Sequence, residues 1–180
     1  WLRRWLSETP VFLAMQARRQ ADAELPLRTV LRDHRQALLP AMLLTCVLTS
    51  AVVVLVVITP TMMQNTFGMS PSHTFALSAL GIVFLNIGCV LAGLLVDRIG
   101  AWRAVLVYSL LLPVGIAVLY ASLIAGGVWL GAAYAIAGLS CGVVGAVPSV
   151  MVSLFPAPVR VSGISFTYNI AYALWASTTP

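Results

Sequence analysis

The sequence predicts an all-α integral membrane protein, and three observations carry that expectation. Hydrophobic residues fill 61% of the 180 positions and charged residues only 8%, where a soluble domain carries roughly 25% charged residues. Two long runs, 36–96 and 104–159, contain no Asp, Glu, Lys or Arg. Each can hold two crossings and a turn, because a helix rising about 1.5 Å per residue crosses a hydrocarbon core of about 30 Å in roughly 20 residues. Finally, the ten basic residues, all Arg, fall outside those runs.

Taken in order, residues 1–37 read as a surface segment and 38–180 as a transmembrane unit of about five spans. The leading segment holds seven of the arginines and four of the five acids. Within it Arg28, Arg32 and Arg35 share one helical face, and Leu27, Leu31 and Leu38 another. A first span is expected over 38–63, Val-rich from Val52 to Ile58, with Pro60 near its outer end kinking it or loosening a turn. Residues 64–74, with Gly68 and Ser70-Pro71-Ser72, form the turn. The second span covers 75–96 and the third 104–124, with Pro113 in its middle and Ala125-Gly126-Gly127 breaking it. The fourth, 128–155, is rich in small residues, and Trp129 and Tyr134 are expected as interfacial anchors. Pro156 to Arg160 is a short rigid loop, and the fifth span covers 161–179.

Arginine placement predicts orientation. Segments 1–35, 97–103 and 156–160 carry all ten, while 64–74 and 125–127 carry no Arg or Lys. The positive-inside rule therefore makes residues 1–37 and both charged loops cytoplasmic. A net charge of +5 explained in this way is no signal for nucleic acid, which needs basic residues clustered on an accessible face. Cys46, Cys89 and Cys141 lie inside spans without a CxxC pair or a His cluster, so no metal site or disulfide framework is indicated. No phosphate-binding loop supports ATP-driven pumping. No intramembrane acid pair or Ser–His set supports an enzyme, and no cofactor is expected. The chain begins at Trp1 without a signal peptide and ends on Thr179-Pro180, which reads as a piece of a longer protein.

The residues that could carry function are few. Asp97, Arg98 and Arg103 interrupt the apolar runs between spans two and three, with Gly100 permitting a tight reversal. A carboxylate at a helix C-terminus opposes the helix dipole. Asp97 is therefore expected to need a partner from Arg98, Arg103 or another part of the protein. Such a pair could form in one conformation and break in another, a gate, or could serve only as a topology anchor. Gly138, Gly142 and Gly145, with Pro148 beside them, and Gly88 with Ala92, suit close helix approach in lipid. Pro148 could also mark a moving hinge. Polar groups within spans are costly unless they face water or a partner. That singles out Asn86, Asn169, Tyr168 and Tyr172 as substrate-cavity candidates, with Thr61, Gln64 and Asn65 near the outer surface. For the two asparagines an interhelical hydrogen bond is the alternative. No acid or His lies deep in any span, so a proton-coupling residue would have to sit elsewhere in the protein.

Residues 93–103, Gly-Leu-Leu-Val-Asp-Arg-Ile-Gly-Ala-Trp-Arg, form a G-x-L-x-D-R-x-G pattern followed by a basic residue. This segment resembles the loop signature of the major facilitator superfamily. Ala101 and Trp102 stand where that signature usually has a basic pair, which leaves Arg103 alone and weakens the clasp. The opening Arg3 to Phe12, with Glu8-Thr9-Pro10, resembles the cytoplasmic segment after the sixth helix. Phe155-Pro156 through Arg160 to Gly163 is similar to the loop between helices ten and eleven. The resemblance covers nearly the whole chain and implies helices 7–11 of a twelve-helix carrier, with Gly93, Asp97, Arg98, Gly100, Arg103 and Arg160 as its loop residues. Thr59 to Ser70 and Phe166-Thr167-Tyr168-Asn169 resemble the metabolite:proton symporter family. What these likenesses imply is a secondary active transporter in the cell inner membrane, moving an organic acid, betaine or amino-acid-like solute by alternating access with a proton. Its partners are the lipid bilayer, the solute, the proton and a missing N-terminal half of the same chain, without which the fragment should not accumulate solute. A non-transporting solute sensor on the same fold and a drug-efflux carrier are the alternatives.

Overall fold

The computed structural model describes residues 26–178, and every regular element within them is helical. Helix α1 (Pro26–Asp33) leads through His34 into α2 (Arg35–Val53), which continues through a wider π-helical turn at Val54–Ile58 into α3 (Thr59–Asn65). Then come α4 (Pro71–Ile99), α5 (Ala101–Ile124), α6 (Leu130–Ser140), α7 (Val143–Leu154) and α8 (Arg160–Thr178). The sequence-derived segment Arg3 to Phe12 lies outside the described residues. Arg35–Asn65, Pro71–Ile99, Ala101–Ile124 and Leu130–Leu154 are each long and apolar enough to cross a bilayer.

The fifth expected span behaves differently. Helix α8 has 19 residues but is not among the crossings defined by apolarity. Ser162, Ser165, Thr167, Tyr168, Asn169 and Tyr172 dilute it. Such a helix fits a place between other helices and water better than one surrounded by lipid.

Contacts along the helices give their directions. Residues 45 and 51 of α2 and 55 of the π turn that continues it meet 151, 141 and 134, so α2 is antiparallel to α6–α7. Gly81, Gly88 and Cys89 meet Gly138, Gly142 and Gly145 in rising order, so α4 runs parallel to α6–α7. The alternation brings Arg35, the 97–103 turn and Arg160 to one end of the bundle, and the 66–70 and 125–129 connections to the other. At the centre is α6–α7, which packs on α4, α5 and α2. Its most apolar window is 56% buried, against 17% for α4.

Two helix irregularities decide how the centre is built. Pro60 offers no N–H, and its ring would clash with the carbonyl four residues back in a regular helix. The chain absorbs this by widening to π pitch just before it: the backbone N–H of Thr59 reaches Val54 O, and the Thr59 hydroxyl donates to that oxygen at 2.7 Å. Of the two outcomes expected at Pro60, a kink or a loosened turn, the chain takes the second, a wide turn in a helix that does not break. The expected single helix over 128–155 is instead broken at Cys141–Gly142. There the bonds tighten to Gly142 N→Leu139 O at 3.1 Å, Val144 N→Cys141 O at 3.2 Å and Gly145 N→Gly142 O at 2.9 Å. Pro148, inside α7, is not the break point.

Candidate functional site

Between α4 and α5 only Gly100 remains outside a helix, and its φ of +89° is a conformation that a residue with a Cβ rarely adopts. The reversal leaves Asp97, Arg98 and Arg103 exposed at the charged end of the bundle. Of the three partners expected for Asp97, neither Arg98 nor Arg103 pairs with it, and it makes no ion pair or hydrogen bond among the described residues. Arg98 instead lines an open groove of about 270 Å³ with Leu91, Leu94, Leu95 and Tyr108. Gly93 has no atom within 4 Å of where a Cβ would stand, so the glycine keeps the face of α4 flat rather than filling a contact.

The 155–163 loop is held by its own pattern. Phe155 is buried, and its ring lies so close to Gly163 that a Cβ there would sit 2.6 Å from a ring carbon. Arg160 Nε donates to the Phe155 carbonyl at 3.1 Å, satisfying an acceptor left over where α7 ends. The Phe, the Arg and the Gly thus form one local clamp. At the end of α1, the Arg32 guanidinium holds the neighbouring Asp33 carboxyl below its ordinary range through bonds of 2.9 and 3.2 Å.

The polar candidates inside the spans mostly face outward. Asn86 and Asn169 are exposed, and each donates Nδ2–H to the carbonyl four residues earlier in its own helix, Ile82 O at 2.8 Å and Ser165 O at 2.7 Å. Among the described residues neither makes the interhelical bond that was the alternative. Thr61, also exposed, donates to Val57 O at 2.7 Å. Gln64 is half-buried and Asn65 exposed at the end of α3. Tyr168 and Tyr172 stack with ring centroids 5.9 Å apart at 18°. The small residues face inward: a Cβ on Gly142 would lie 2.5 Å from Gly88 O, and one on Gly145 2.7 Å from Cys89 O. A Cβ on Gly138 would collide with Gly81 O. Pro148 is exposed and takes no part in this packing, a correction to its grouping with the glycines.

Sequence reasoning missed the polar seam beside the π turn. Tyr134, expected at the interface, is fully buried, and its hydroxyl donates to Leu55 O at 3.4 Å, inside the wide turn. Because Pro60 has no N–H to offer that carbonyl, the tyrosine supplies the missing donor from another helix. Thr59 and Tyr120 hydroxyls lie 3.4 Å apart, and Tyr120 also reaches Met62 Sδ at 3.7 Å. Cys141 Sγ lies 3.6 Å from Ala51 O, and Tyr108 donates to Gly88 O at 3.2 Å. The only signal for this in the sequence is Pro60 itself. Gly81 and Gly115, close against Tyr134 and Ser140, were also not singled out.

A family model described as Major Facilitator Superfamily matches residues 4–180. No curated protein and no solved structure matches the chain.

Proposed function

We propose, from the premise that the chain belongs to the Major Facilitator Superfamily, whose members are membrane transporters, that it forms helices 7–11 of a twelve-helix secondary carrier. The carrier moves an organic acid, betaine or amino-acid-like solute across the cell inner membrane by alternating access. The observation that carries this reading is the exposure of Asn86, on a helix otherwise faced with apolar side chains, and of Asn169 on α8. An amide has two donors and a carbonyl acceptor, and one bond to its own helix leaves most of that capacity directed away from the bundle. Against lipid this is costly; against an aqueous cavity it is a solute contact. The polar character of α8, with the Tyr168–Tyr172 stack beside Asn169, supports the same placement.

The remaining assignments follow from that cavity. The Arg-rich end is cytoplasmic by the positive-inside rule. Asp97, unpaired among the described residues, is the gate's half-contact, closed by a cation or helix end in the N-terminal half of the full chain. The likeness of 59–70 and 166–169 to the metabolite:proton symporters favours proton coupling. The coupling acid is then placed in that other half, since the described spans contain no Asp, Glu or His at depth.

The test is uptake by the full-length protein in proteoliposomes under an imposed pH gradient, using radiolabelled organic acids, betaine and amino acids. Asn86→Ala and Asn169→Ala should each lower uptake about tenfold or more, because losing one polar contact at a binding site is worth on the order of 1–3 kcal/mol. Thermal stability should stay unchanged, since neither amide packs between helices. Normal uptake by both variants would place the amides outside the solute path. Binding without accumulation in the parent protein would favour a sensor.

A further inference from the structure

Helix α1 presents three faces in succession around its axis. Val30 is fully buried, and α1 packs on α8. At about 100° per residue, the next stripe holds Leu27 and Leu31, which are 42% and 45% exposed. Beyond it lie Arg28 and Arg32, both exposed. On α2, Arg35 heads a column with Leu39 and Leu43, four and eight residues on and 66% and 59% exposed. An apolar stripe between a buried face and a basic one is the arrangement of a helix lying in a membrane interface, its arginines reaching back to the headgroups.

Position agrees with pattern. The helix Arg35–Asn65 has 31 residues, about 46 Å at 1.5 Å each, against a hydrocarbon core of about 30 Å. Its charged end therefore lies in the headgroup layer, and α1 with it. The charge there is complementary to anionic lipid. Arg32 is engaged with Asp33, whereas Arg28 and Arg35 have no ion pair or hydrogen bond among the described residues.

We propose that α1 and the start of α2 form a docking surface for anionic phospholipid. Leu27 and Leu31 rest on the acyl-chain boundary, and Arg28 and Arg35 pair with lipid phosphates. The inference rests on the membrane placement of the chain and not on which solute it carries, so it fails or stands separately from the transport reading.

Two measurements on the full-length protein test it. The first is retention of phosphatidylglycerol over phosphatidylcholine, followed by native mass spectrometry. A basic residue near an anionic surface contributes about fivefold, so Arg28→Gln with Arg35→Gln should lose roughly 25-fold in that preference. Arg28→Lys with Arg35→Lys should keep most of it, which separates charge from folding. The second is a nitroxide at Leu31→Cys, with Cys46, Cys89 and Cys141 replaced by Ala, in phosphatidylglycerol liposomes. Lipid contact predicts strong relaxation by oxygen and weak relaxation by a water-soluble nickel chelate. Strong nickel relaxation would put the stripe in water, and weak relaxation by both would mean that protein, such as residues 1–25, covers it. Either result, or unchanged lipid preference in the Gln pair, overturns the proposal.

Discussion

Gly142→Ala should destabilise the bundle through a single methyl group, and the structure allows the size of the effect to be worked out. The new Cβ would stand 2.5 Å from Gly88 O and 2.6 Å from both Gly88 C and a Tyr108 ring carbon. Ordinary contact begins near 3.4 Å, so the shortfall is about 0.9 Å (3.4 − 2.5). None of these neighbours can easily give. Two are backbone atoms of α4, and the tyrosine ring is tied to the same carbonyl at 3.2 Å. The backbone at Gly142 itself, φ −56° and ψ −12°, suits alanine, so the cost is packing and not strain. Overpacking of this kind costs about 1–3 kcal/mol, and disturbing the Tyr108 bond adds about 0.6 kcal/mol. For a unit of this size 1 kcal/mol moves Tm by about 2–4 °C, so a fall of about 3–14 °C is expected. Gly93→Ala is the control: nothing lies within 4 Å, and helix propensity favours alanine by up to about 1 kcal/mol. The assay is thermal unfolding of the full-length protein in detergent at one scan rate, read by a thiol-reactive fluorophore. Equal Tm values for the two variants would refute the close crossing of α4 and α6–α7 at Gly88.

Tyr134→Phe should cost about 0.6–1.7 kcal/mol by leaving the Leu55 carbonyl without its donor. In a Pro60→Ala background, where a backbone N–H becomes available, that cost should shrink; strict additivity in the double-mutant cycle would disconnect the tyrosine from the proline. Asp97→Asn should shift the balance of cytoplasm-open and cytoplasm-closed states in spectroscopic distance measurements on the full-length carrier, because it removes the carboxylate that has no partner among the described residues and is proposed to close on the other half. Unaltered populations together with unaltered transport would reduce Asp97 to a topology anchor.

The helical character and the four apolar crossings were legible because transfer into hydrocarbon adds up residue by residue along the chain. The reversal at Gly100 was legible for a similar reason: a lone glycine after Asp97-Arg98-Ile99 leaves few ways to turn. The Phe155, Arg160 and Gly163 pattern was visible, but the clamp that explains it was not. Asn86 and Asn169 could be singled out as costly groups, while the direction each faces depends on which side of its helix the neighbours occupy. The grouping of Pro148 with the packing glycines failed because spacing along one helix does not say which face another helix covers.

Sequence alone thus determined that the chain is a set of membrane-crossing helices with its charge gathered at one end. Hydropathy and charge are properties of single residues and short windows, and need no knowledge of partners. Tertiary structure alone decided that the fourth crossing breaks at Cys141–Gly142 and that Tyr134 is buried rather than interfacial. It also decided that the π turn forced by Pro60 takes its missing donor from a residue 79 positions away. The last two turn on a backbone group left unsatisfied in one helix and met by an atom of another, and in hydrocarbon there is no water to stand in for that partner.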